Sequence, residues 1–205
     1  MVAILSRVTP IVLMETLIMA TTTTISEHQY RELALNDPDQ NWELWDGVPV
    51  EKPWMSIKHN DVAFYLGLAL ANQLDRRVYR VNVNGDRARI SPRAYYIPDV
   101  IVIPAAYQQS LADDPRALGV YAEPLPLVVE VWSPTTGHYD VATKLEGYRA
   151  RGDLEIWFIH PYERTLTAWR GQPEGSYTEE LYRSGVVPVA SLPGVTIDLD
   201  VLLDG

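Results

Sequence analysis

From Pro124 to Tyr148 the chain reads PLPLVVEVWSPTTGHYDVATKLEGY. Its first half holds the apolar run Leu127-Val128-Val129-Glu130-Val131-Trp132. The β-branched content and short length predict a buried strand rather than a helix. One carboxylate, Glu130, interrupts the run. An isolated ionised carboxylate inside a sheet is too costly to persist unless a cation or hydrogen-bond donors meet it. Glu130 is therefore neutralised by a partner or holds a metal ion. Ser133-Pro134-Thr135-Thr136-Gly137 reads as a turn into a helix. On that helix Asp140, Lys144 and Tyr148 recur every four positions and share one face. That face can look back at the end of the strand carrying Glu130.

A second run poses the same question. Tyr95-Tyr96-Ile97-Pro98-Asp99-Val100-Ile101-Val102-Ile103-Pro104 reads as one buried strand with one acid, Asp99. A divalent ion between the two strands would account for both charges, because hard cations prefer carboxylate oxygens. The competing reading pairs each acid with an arginine.

A Pro-Asp dipeptide in one strand, an acid in the next and a lysine close behind resemble the PD-(D/E)xK nuclease superfamily. The fuller string, PDV-x-VIP, LVVEVWSPTT, then the Asp140-Lys144-Tyr148 series and LEIWFI, resembles the Uma2 family of restriction-type endonucleases. The likeness runs from about Trp42 to Trp169, and the EV-x-SP-T segment is its most specific part. It implies an α/β (mixed α+β) restriction endonuclease-like core, with a central mixed sheet flanked by helices. It also implies a Mg²⁺- or Mn²⁺-dependent endonuclease hydrolysing DNA, with Asp99 and Glu130 as metal ligands beside the backbone carbonyl of Val131. One departure stands out: the superfamily lysine lies two residues after the second acid, and Trp132 occupies that place. Lys144, fourteen residues after Glu130, would supply the amine.

Composition bounds these expectations. At 205 residues with 47% apolar and 21% charged content, the chain suits an ordinary globular domain with a sizeable core. It contains no cysteine, which excludes thiolate metal sites and disulfides and fits a cytoplasmic location. Seventeen basic against twenty-seven acidic residues leave a formal charge of −10, which disfavours broad non-specific DNA binding. A local basic patch is the alternative. Arg76, Arg77, Arg80, Arg87, Arg89 and Arg93 fall within eighteen positions and are the candidates for contact with DNA. Residues 1–25 read as a poorly ordered leader or a start assigned too early, since Pro10 and Glu15 break the apolar run. Residues 26–205 read as one domain. No apolar stretch reaches membrane-spanning length, so no membrane partner is expected.

Along the chain, Ser26 to Ala34 reads as a short helix with a Ser26–Gln29 capping box. Asp46-Gly47 between two apolar runs signals a two-residue hairpin, with Pro49 on an edge strand. Ser56 to Arg77 reads as the longest helix, with His59 in its first turn. His59 is a candidate for orienting a phosphate or a water, against the plainer role of satisfying local backbone groups. Glu43, on the first hairpin strand, is a weaker candidate. Asp140 is equally well placed for an i,i+4 ion pair with Lys144, and Tyr148 for a core position with a satisfied hydroxyl. Two rivals to a DNA nuclease remain at this level: an inactive nuclease-fold scaffold, and a metal-dependent hydrolase of a small phosphorylated substrate. Cutting both strands of DNA commonly needs two sites, so a homodimer is expected.

Overall fold

A computed structural model describes residues 23–37, 39–109, 111, 113–134 and 137–204, the side chains of 137–140 excepted. Most of the leader expectation therefore falls outside the described residues. The elements are α1 (Glu27–Asn36), β1 (Trp42–Trp45), β2 (Val48–Glu51), α2 (Ile57–Gln73), β3 (Tyr79–Val83), β4 (Arg87–Ser91), β5 (Ala94–Tyr96), β6 (Val100–Pro104) and α3 (Ala105–Gln108). They continue with β7 (Val120–Tyr121), β8 (Leu127–Val131), α4 (Gly137–Arg151), β9 (Glu155–His160), β10 (Thr165–Gly171), β11 (Tyr177–Tyr182), β12 (Val186–Pro188), β13 (Thr196–Asp198) and α5 (Leu199–Asp204).

A six-stranded mixed sheet, ordered β11-β10-β9-β8-β6-β3, forms the centre. Its β8 and β9 are parallel, joined by α4, while β6 pairs antiparallel with β8 through Val100↔Val129. Period-two alternation sorts the strand residues between two cores. Val100, Val102, Leu127, Val129 and Val131 pack with Val62, Leu66 and Leu70 of α2, closed by α5 and the β12–β13 ribbon. Ile101, Ile103, Val128 and Ile156 pack on the opposite side with Tyr148 of α4 and with Tyr96 and Tyr121 of a second sheet. That second sheet, ordered β2-β1-β5-β4-β7, was not foreseen in the sequence.

Local signals explain the turns. Ser26 accepts from the Gln29 amide while the Gln29 side chain accepts from Ser26, the expected reciprocal cap. Asp46 and Gly47 adopt φ values of 48° and 85°, which close the β1–β2 hairpin at Trp45↔Val48. Pro49 lies in β2, at the sheet edge, where its missing donor costs no ladder bond.

Two expectations need correction. The Tyr95–Pro104 run is two strands: β5 belongs to the second sheet and β6 to the first. Pro98 cannot donate a ladder hydrogen bond, and the chain changes sheets there. Asp99 therefore stands at the mouth of β6, not within a continuous strand. The long helix also stops at Gln73, four residues short, and Asp75–Arg77 form a turn in which Arg77 grips Asp75 at 2.7 Å.

Gly147 lets α4 press against the second sheet. A Cβ there would lie 2.9 Å from Tyr96 Cε2 and 3.3 Å from Ile90 Cγ1. Helix propensity favours alanine by about 1 kcal/mol, but overpacking costs about 1–3 kcal/mol. Gly147→Ala is expected to destabilise the protein by roughly 1 kcal/mol, read as a lowered urea midpoint at constant m-value.

Candidate active site

Four segments meet where the two sheets adjoin. Asp99 arrives at the head of β6 and Glu130 on β8. Glu43 comes from β1, and Lys144 and Tyr148 from α4. Alternation along β8 sends Val129 and Val131 into the α2 core and turns Glu130 towards α4. Lys144 and Tyr148, one helical turn apart, both reach it.

Tyr148 donates its hydroxyl proton to Glu130 Oε1 at 2.5 Å, and Lys144 Nζ lies 3.3 Å from the same oxygen. Lys144 also donates to Glu43 Oε1 at 2.9 Å. Glu43 is fixed on its other sides by the Ile97 amide at 2.7 Å and the Trp45 indole at 2.8 Å. Asp99 accepts from the Val131 amide at 2.6 Å. His59 Nε2 sits 3.0 Å from Asp99 Oδ2, off the line of a hydrogen bond. His59 is placed there by Ser56, whose hydroxyl accepts from the His59 amide at the start of α2.

Asp99, Glu130, Lys144, His59, Tyr148 and Glu43 thus converge. Asp140 lies in α4, but its side chain falls outside the described residues. Sequence reading missed one member. Lys52, just after β2, donates to Asp99 Oδ1, Asn84 Oδ1 and the Ile97 carbonyl, each at 2.8 Å. A signal for it existed: the chain has three lysines, Lys52, Lys58 and Lys144, against fourteen arginines. Among the described residues neither acid is paired with an arginine; lysines meet both.

The expected arginine patch does not form one surface. Arg87 is buried and donates to the Tyr30 hydroxyl at 3.0 Å, Arg89 pairs with Glu27, Arg93 with Asp46 and Arg77 with Asp75. The six arginines are spread over the turn after α2, β3, β4 and the β4–β5 turn, and three of them are ion-paired, Arg77 with its neighbour Asp75 and Arg89 and Arg93 with acids from α1 and the β1–β2 turn. The superfamily lysine position is filled by Trp132, whose ring stacks on His160 at 4.3 Å.

Electrostatics follow from burial. Desolvation pushes the Glu130 carboxyl up to about 7; Lys144 opposes the rise, and Asp99 and Glu43 add to it. For Asp99 burial acts the same way, but Lys52 and His59 outweigh it and hold the group well below the usual carboxylate range. Burial disfavours the Lys144 ammonium, yet Glu130 and Glu43 prevail and keep it charged. Desolvation, then Glu130, raises the Tyr148 hydroxyl far above its ordinary value, so it stays a donor.

Because Glu130 binds its proton more tightly folded than unfolded, stability falls as pH rises between about 4.5 and about 7. Glu130→Gln removes that slope. Its melting temperature is expected to match wild type near pH 5 and to exceed it at pH 8, by about 2–3 kcal/mol in stability. Melting curves in chelator at both pH values check this; a pH-independent difference would contradict it.

These side chains border a cavity of about 20 Å³ lined by Glu43, Lys52, Asp99, Glu130, Val131 and Lys144 among others. It admits one water-sized occupant. Around it Glu43, Asp99 and Glu130 face the amines of Lys52 and Lys144. No group of three or more His, Asp or Glu arranged for a metal occurs among the described residues. Hard oxygen donors from two carboxylates suit Mg²⁺, which keeps several waters, better than a fully caged metal.

The Uma2 family, described as "Putative restriction endonuclease", matches residues 28–201. The chain belongs to the Uma2 family. A solved structure described as a putative nuclease belonging to DUF820, from Anabaena variabilis ATCC 29413, superposes with a TM-score of 0.70 at 17% identity. The match covers 88% of this chain and 98% of that one, and at this identity it shows the shared fold. No curated protein matches. The Uma2 fold here is the mixed-sheet, helix-flanked core implied by the sequence. Among the described residues no helix is long and apolar enough to cross a membrane.

Proposed function

We propose that this Uma2 protein is a metal-dependent endonuclease that hydrolyses phosphodiester bonds of DNA. The supporting observation is the convergence of Asp99, Glu130 and Lys144 on one atom-sized cavity. Asp99 and Glu130, with the Val131 carbonyl, would hold Mg²⁺ or Mn²⁺. Such an ion supplies a Lewis acid for the phosphate and eases deprotonation of water. Lys144, kept charged by its two glutamates, positions the attacking water and offsets charge developing on the phosphate. Tyr148 aims Glu130, Glu43 holds Lys144, and His59 with the Val131 amide fixes Asp99. With Arg77, Arg89 and Arg93 ion-paired and Arg87 buried, DNA would be held by Arg76, Arg80 and weak, salt-sensitive contacts beside the site. A homodimer would bring two such sites to the two strands.

Supercoiled plasmid incubated with Mg²⁺ or Mn²⁺ is expected to be nicked, and chelator to stop the reaction. A second reading has its own support: each carboxylate already meets a lysine, as in a nuclease fold that survives as a binding scaffold without turnover. Absence of nicking on any nucleic acid, with the metal bound, would favour the scaffold or a hydrolase of a small phosphorylated substrate over the DNA nuclease.

A further inference from the structure

Lys52 has no part in the reading above, yet it is among the most constrained side chains in the molecule. Its side chain is 6% exposed and its ammonium meets three oxygens at 2.8 Å. Two of these, Asn84 Oδ1 and the Ile97 carbonyl, are neutral, and Asp99 is the carboxylate in contact with its charge. A role as a tether between β2, the Asn84 turn and β6 explains the three hydrogen bonds. It does not require a full positive charge beside a carboxylate that faces the cavity. The chain also favours arginine almost everywhere else, and two of its three lysines stand at this cavity. Lysine brings a compact point charge in place of a guanidinium fork.

We propose that Lys52 is a resident counter-cation that competes with the divalent ion for Asp99, weakening metal binding and coupling it to arrival of the substrate phosphate. This rests on the metal-dependent reading above. An ammonium at contact distance from a ligand oxygen repels any further cation sharing it, and in a buried site that repulsion is poorly screened. A phosphate at the cavity mouth adds negative charge and offsets the repulsion, so ion and nucleic acid bind each other's complex more tightly than the free protein. Lys52 is thus a positioning residue: it acts on the reaction through Asp99.

The test is Mn²⁺ affinity by titration calorimetry on the full chain: wild type, Lys52→Met, Lys52→Gln and Lys52→Arg. The glutamine variant keeps an N–H donor for Asn84 and Ile97 without the charge, which covers failure of the methionine variant to fold. Both neutral variants are expected to bind Mn²⁺ about 10- to 100-fold more tightly than wild type, and Lys52→Arg to resemble wild type. A purely structural role predicts equal or weaker binding in the neutral variants, and that result overturns the proposal. Binding by a neutral variant but not by wild type supports it most strongly. No binding by any of the four, with all folded, overturns the metal-dependent reading and this inference with it.

Discussion

Asp99→Asn is expected to leave plasmid nicking at least about a thousandfold slower than wild type, since loss of the metal site forfeits several kcal/mol of transition-state stabilisation. The amide oxygen can still accept from the Val131 amide, as Asp99 Oδ2 does at 2.6 Å. The amide nitrogen cannot take the other role, because it would turn a donor towards the Lys52 ammonium. Lys52 would then be a buried cation without an anion, and breaking a buried pair in this way costs about 3–5 kcal/mol. The variant should therefore melt earlier and bind no Mn²⁺. Activity is compared below its melting transition, so that loss of the fold cannot stand in for loss of the ion. Nicking at near wild-type rate by folded Asp99→Asn would sink the assignment of Asp99 as a ligand.

How far such a site is legible in sequence depends on the range of the forces that build it. The Glu130 strand, the Asp46-Gly47 hairpin and the Ser26 cap are short-range features, written in alternation, backbone φ and neighbouring side chains, and each is where it was expected. The second sheet is different. Its strands are two to five residues long, and β1 meets β5 through the distant pairing Leu44↔Tyr95. The β1–β2 hairpin is marked locally, but nothing local marks how it joins β5, β4 and β7, and only Pro98, read as part of a strand, hinted that the chain leaves one sheet for another. Lys52 follows the same logic: a solitary lysine after an edge strand carries no pattern, and its partners lie thirty-two to forty-seven residues away. The arginines failed in the opposite sense. Their density in sequence suggested a shared surface, but Glu27, Asp46 and Asp75 each took one, as short-range ion pairs do when acids outnumber bases.

Lys144→Met separates the chemistry from the ligand set. Removing this ammonium leaves Glu43 and Glu130 facing each other across the cavity without their shared cation. Glu130, already reluctant to ionise, will take up a proton more readily, which softens part of the roughly 3–5 kcal/mol expected for opening a buried pair. Nicking should fall by at least about a thousandfold, because a charge positioned for the developing phosphate is worth several kcal/mol in a dry site. Mn²⁺ binding should persist at neutral to alkaline pH, where a divalent ion can replace the proton on Glu130. That outcome differs from Asp99→Asn, which loses ion and activity together. Lys144→Arg completes the argument: its planar fork restores charge but not the compact ammonium held 2.9 Å from Glu43. It should recover stability while remaining slow. If the arginine variant regains full activity, the site needs only a positive charge. If the methionine variant keeps full activity, the amine arriving from α4 is no substitute for the lysine that Trp132 displaced, and Lys144 has no part in the chemistry.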